Sequence, residues 1–163
     1  MAVARAICTC ELCGNTFYKE TKRQNRRLAD DWEKWASKNI KVCPDCEREI
    51  YEEEAEELAQ KASANGLPKL RGSEKQIAWA EHIRPELLES MEKTVEEARE
   101  YVNGLDEGEE KDRCIKLLHI FEQILIQVRN EKSAAWWIDK RFRDGCSVMR
   151  EIYWEQYNKK LEL

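Results

Sequence analysis

The chain has 163 residues, with 28 Lys+Arg against 33 Asp+Glu and a formal net charge of −5. A charged fraction of 37% with three prolines and six glycines points to helices with solvated faces, while 42% hydrophobic content and six tryptophans exclude wholesale disorder. No stretch approaches the ~18 consecutive apolar residues that span a bilayer, and the start, MAVARAICTC, has no apolar run of signal-peptide length, so the expectation is a cytoplasmic protein without membrane attachment.

The first feature in chain order is CTCELCG at residues 8–14, followed by VCPDC at 42–46. Cytosolic thiols stay reduced, and seven cysteines is an odd number, so a disulfide framework is disfavoured. Cys10-x2-Cys13 and Cys43-x2-Cys46 form a doubled CxxC pair, the spacing that places four thiolates at the corners of a tetrahedron. One structural Zn²⁺ is the favoured occupant, with an iron–sulfur cluster or no metal as alternatives. All four corners are filled by protein, which leaves no position for a catalytic water. Gly14 suits a knuckle needing positive φ. Pro44 fits the first turn of a helix that runs to Asn65-Gly66 and sets Cys46 near its positive end. Cys8 is a spare thiol that could substitute for Cys10, whereas Cys114 and Cys146 read as unligated thiols in apolar helical patterns.

The doubled pair with a helix after it resembles the treble-clef and zinc-ribbon families over residues 7–64. Where a treble clef carries a β-hairpin between its pairs, this sequence reads as a helix from Thr21 to about Ser37. On that helix Lys19, Lys22, Arg23, Arg26 and Arg27 share one face, a candidate nucleic-acid contact. Leu28, Trp32 and Trp35 share the opposite face, expected to pack down.

The breakers Gly66, Pro68 and Gly72 mark a linker with little to bury, dividing a zinc-binding module with helices (1–65) from an all-α bundle (73–163). Ser73-x-x-Gln76 is a capping box. The helix it opens is expected to break at Arg84-Pro85, with a second helix from Pro85 to Asn103-Gly104. The segment EEKDRCIKLLHIFEQILIQVRN is apolar on a wide face, as expected for the central helix of the bundle. A short helix carries Trp136-Trp137-Ile138, and a final one after Asp144-Gly145 lines up Val148, Met149, Ile152, Tyr153 and Tyr157. Within residues 66–144, EKQIAWAEHIR and WWIDKR resemble an uncharacterised helical domain of bacterial phage and mobile-element proteins. That resemblance implies a genomic setting and no chemistry.

The fold class is therefore mostly α: a small four-cysteine zinc finger with a helical insert, joined to an all-α helical bundle. His82 and His119 lack ligand or triad spacing, and no phosphate loop or nucleophile elbow is present. A non-enzymatic accessory protein with no small-molecule substrate is expected. Its partner is a nucleic acid through the basic face, or alternatively a protein of a host system that it inhibits or regulates. For a protein partner the candidate contacts are Trp136, Trp137 and Arg141, since aromatic-plus-Arg is a hot-spot composition; core packing of the tryptophans is the competing reading.

Overall fold

The computed structural model describes residues 1–158, excluding the side chains of Tyr157 and Asn158. The chain divides into two compact units, Met1–Glu54 and Ala55–Leu163. The fold is mostly helical, with one two-stranded sheet.

In the first unit, strands β1 (Ala2–Thr9) and β2 (Thr16–Arg23) pair antiparallel, from Ala2 opposite Arg23 to Thr9 opposite Thr16. Helix α1 (Arg26–Asn39) packs chiefly on β1. Ala4, Ala6 and Cys8 alternate inward along β1 against Ala29 and Ala36 of α1, while Val3 and Ile7 face out. The helix expected from Thr21 starts instead at Arg26. Asn25 caps it, its Oδ1 accepting from the Leu28 amide at 3.0 Å. Ahead of that cap, Thr16, Phe17, Tyr18 and Thr21 supply strand-forming side chains that β1 can pair. A hairpin is thus present, but it encloses the first cysteine pair rather than lying between the two pairs, where a treble clef carries its own. Helix α2 (Pro44–Ala64) begins in this unit and ends at Gly66, whose φ of 74° permits the closing turn from Leu67 N to Ala62 O.

In the second unit, α3 (Glu74–Asn103) packs against α4 (Glu109–Arg129), α5 (Ala134–Asp139) and α6 (Gly145–Tyr153), the last continued by a π-helical stretch, Trp154–Asn158. Both halves of α3 share one core with Leu70, Ile124, Trp137, Val148 and Met149. Two expectations change here. The expected break at Arg84-Pro85 does not occur, and α3 runs through Pro85. A helix-interior proline costs about 3 kcal/mol, and burial of Leu87, Leu88, Met91 and Val95 on the same face as Ala80 offsets it. The central helix is α3 rather than α4, whose Ile115, Leu117 and Ile126 are exposed. The expected place of Tyr157 on the buried stripe of α6 lies outside the described side chains.

Residues 66–72 bury more than expected of a linker. Leu70 is buried, and Arg71 N and O bond to Lys132 O and Ala134 N. Arg84 donates to Pro68 O at 2.9 Å and to Glu81 at 2.7 Å, a buried ion pair that fixes this segment to α3. Burial pushes the Glu81 carboxyl up and the Arg84 guanidinium down, while each charge opposes the other's shift.

Helix α6 approaches α3 closely at Gly145, whose amide donates to Ser90 Oγ at 2.9 Å. A Cβ there would lie 2.4 Å from Met91 N and 2.5 Å from Ser90 C, both backbone atoms that cannot swing aside. Gly145→Ala is accordingly expected to lower stability by about 1–3 kcal/mol through overpacking, read as a reduced urea midpoint at unchanged zinc content. A midpoint equal to wild type would show that α6 is free to move away from α3.

Candidate metal centre

The turn of the hairpin supplies the first two sulfurs. Cys10 N donates to Asn15 O at 2.8 Å and Gly14 N to Cys10 O at 2.9 Å, closing a knuckle in which Gly14 has φ 73°. The start of α2 supplies the other two. Cys43 occupies the cap position, its carbonyl accepting from Glu47 N at 2.9 Å and its Sγ from Cys46 N at 3.5 Å. The two halves are joined by Glu11 N to Lys41 O at 2.8 Å and by the Cys43 amide to Cys10 Sγ at 3.3 Å.

The sulfurs of Cys10, Cys13, Cys43 and Cys46 all lie within 4.8 Å of one another. Tetrahedral Zn–S bonds of ~2.3 Å set sulfurs roughly 3.8 Å apart, and Cys13 Sγ and Cys43 Sγ are 3.8 Å apart. Backbone amides of Cys13 and then Cys43 draw the Cys10 thiol down to about 6. Hydrogen bonding with Cys43 and Cys13, then burial, holds Cys46 far above the ordinary thiol range. One thiolate is thus favoured by the backbone, and further ionisation in so small a volume needs a cation. The cluster can hold a metal ion such as zinc, and its all-sulfur donor set suits one. Cys8, the proposed spare ligand, points elsewhere: it is buried and its Sγ contacts Ala36 O at 3.6 Å.

The other sequence candidates are dispersed. Lys19, Lys22 and Arg23 lie on β2, where alternation puts Lys22 on the face opposite Lys19 and Arg23. Arg23 stacks over Trp32 at 5.6 Å. Arg26 pairs with Asp30 at 2.6 Å and Glu33 at 3.1 Å, and Arg27 is exposed on α1. The five therefore do not share one helical face. The opposite face does not pack down as expected either: Trp32 is half-buried, and Leu28 and Trp35 are exposed. Trp137 is fully buried in the core, its Nε1 donating to Glu131 O at 3.4 Å. Trp136 is half-buried at 5.0 Å from it, edge to face. Arg141 is exposed, and its guanidinium lies over Trp79 at 5.4 Å and Phe142 at 4.5 Å. Sequence reading missed Trp79 and Phe142. The available signal was that Trp79 falls off the Ile77, Ala80, Ile83 stripe and Phe142 follows the end of α5.

No protein-family model, curated protein or solved structure matches the chain.

Metal retention tests the ligand set. By elemental analysis, Cys8→Ser should hold as much metal as wild type, whereas Cys43→Ser should lose it. Loss of metal in Cys8→Ser would return that thiol to the ligand set.

Proposed function

We propose that the protein is a non-enzymatic accessory protein that holds one structural zinc and acts by binding another protein. The observation that carries the binding role is the Trp79–Arg141–Phe142 stack. Trp79 is 44% and Phe142 88% exposed. Arg141 donates to Ile138 O at 2.9 Å, and no acid pairs with it among the described residues. An exposed arginine within reach of two aromatic rings keeps free donors for a partner's carbonyls or carboxylates. The stack also joins the two stretches, EKQIAWAEHIR and WWIDKR, whose resemblance supports a phage or mobile-element setting and a regulatory role toward a host protein. In this reading the zinc closes a module and takes no part in chemistry. The nucleic-acid reading is the less favoured one, because the five basic residues are divided between two elements and Arg26 is paired with acids.

Zinc should be found at about one equivalent per chain in protein purified without chelator. The binding role is tested by capture from the native host, with Arg141→Glu and Phe142→Ala as comparisons. Both side chains are exposed, so the variants should keep the wild-type melting temperature. A protein captured by wild type and lost from both variants is the expected result. Capture unaffected by either substitution, or wild-type binding of DNA or RNA that weakens steeply with salt, would overturn it.

A further inference from the structure

The hairpin of the first unit leaves one of its edges unpaired. At β1, the Arg5 amide donates to Glu33 Oε1 at 2.9 Å and Val3 O accepts from Arg26 Nη1 at 3.2 Å, so side chains of α1 close that edge. These bonds also set the phase of the ladder. Val3 and Arg5 turn their peptide groups away from β2, and their opposite numbers Lys22 and Glu20 turn theirs away from β1. The bond from Cys10 N to Asn15 O gives the same phase. Along β2 the N–H and C=O groups of Tyr18, Glu20 and Lys22 therefore face outward, and no side chain among the described residues caps them. An edge left open in this way is a template for another strand.

The helix-facing side of β2 is also only partly covered. α1 lies chiefly over β1, and Phe17, Lys19, Thr21 and Arg23 of β2 stay half-buried beside it. At ~100° per residue, Ala29 and Ala36 point at the sheet, and Arg26 and Glu33 take the flank over the β1 edge. Leu28, Trp32 and Trp35 take the opposite flank, on the β2 side, where Arg23 meets the Trp32 ring at 5.6 Å. Leu28 is 44% and Trp35 55% exposed. An unpaired strand and an apolar helix flank thus border the same side of the unit.

We propose that β2 pairs antiparallel with β2 of a second copy of this chain, about a two-fold axis at Glu20, so that two hairpins form one four-stranded sheet. The phase admits only registers in which outward-facing residues oppose one another, and charge selects among them. With Glu20 on the axis, Tyr18 faces Lys22, Lys19 faces Thr21 and Phe17 faces Arg23 of the other copy, so no base opposes a base. Moving the axis by one residue either way sets Lys19 opposite Lys19 or opposite Arg23, and like charges opposed across strands are destabilising. Longer shifts leave less of the strand paired. The two Glu20 carboxylates meet at the axis, each held by Arg5 of its own hairpin at 2.7 Å and diagonal to Lys22 of the other copy. Strands ~4.8 Å apart set the two α1 helices, each over its own β1, roughly 14 Å from one another. Leu28, Trp32 and Trp35 of both copies then fill the space above the paired β2 strands. Lys19 and Arg23 enter that space along their apolar stems and keep their charged ends at its margin. This inference rests on the first unit alone and is independent of the Trp79–Arg141–Phe142 reading.

The test uses the metal-loaded full chain. Sedimentation should show a dimer whose fraction rises with concentration, and amide exchange at Tyr18, Glu20 and Lys22 should slow about tenfold or more as it forms. In a sample mixing isotope-labelled and unlabelled chains, the Hα of Lys19 should give a cross-copy contact to the Hα of Thr21, a close pair in this register alone. Glu20→Pro removes an outward N–H while sparing the bonds to β1, and should leave a monomer at unchanged metal content and helical signal. Trp35→Ala should weaken the dimer about tenfold, and this variant decides the matter should Glu20→Pro fail to fold. A monomer at ~1 mM, where association worth only about 4 kcal/mol is already populated, overturns the proposal. So does a dimer undiminished by Trp35→Ala, or one joined through other residues than Lys19 and Thr21. A monomeric chain whose Tyr18, Glu20 and Lys22 amides are protected by a different protein would assign the edge to that partner and overturn the second-copy assignment.

Discussion

The close approach of α1 to β1 is the constraint from which the first unit follows. It is built from Ala4, Ala6, Ala29 and Ala36, all essentially without exposure, with Cys8 beside them. Small side chains let a helix lie tight on a sheet, but they remove little apolar area from water, and stabilisation scales with that area. Larger side chains at the rim, Phe17, Trp32 and Ile40, are only partly buried. A module of this size has too little core to hold itself. Four sulfurs converge there from the hairpin turn and the α2 start, elements that otherwise share few contacts, and a metal ion held between them would supply what packing does not.

The second unit obeys a different economy of forces. Its core contains Trp137, Met91, Ile124 and Met149, fully buried. Its ends were readable from local chemistry. The Ser73–Gln76 capping box and the Asn103-Gly104 stop stand where the sequence places them, because caps depend on a few neighbouring residues. The passage through Pro85 and the central place of α3 were not readable. Both depend on which apolar face meets the most partners, a property of the assembled unit. The apolar face of α4 is wider than that of α3, yet part of it stays exposed.

In the first unit the four ligands were legible because their spacing is itself the geometry. The hairpin was not, for a reason visible in β1. Its inward positions hold alanine and cysteine and its outward positions hold Val3 and Ile7, the reverse of the usual pattern of large apolar residues inside. β2 is largely polar and takes its conformation from pairing with β1, so Lys19, Lys22 and Arg23 extend the helical pattern of α1 only on paper. Once a strand replaces the first helical turns, the basic face divides, and the same residues border a sheet edge.

The position of Cys43 has a kinetic meaning. It is at once a corner of the metal site and the cap of α2, with its sulfur accepting the Cys46 amide and its carbonyl accepting the Glu47 amide. Starting a helix is the slow and unfavourable step, because several torsions must be fixed before the first bond rewards them. A cation that draws Cys43 and Cys46 together fixes those torsions in advance. With a metal held there, its capture and the nucleation of a 21-residue helix would be one event, and in a newly made chain the ion would act as the seed from which α2 grows.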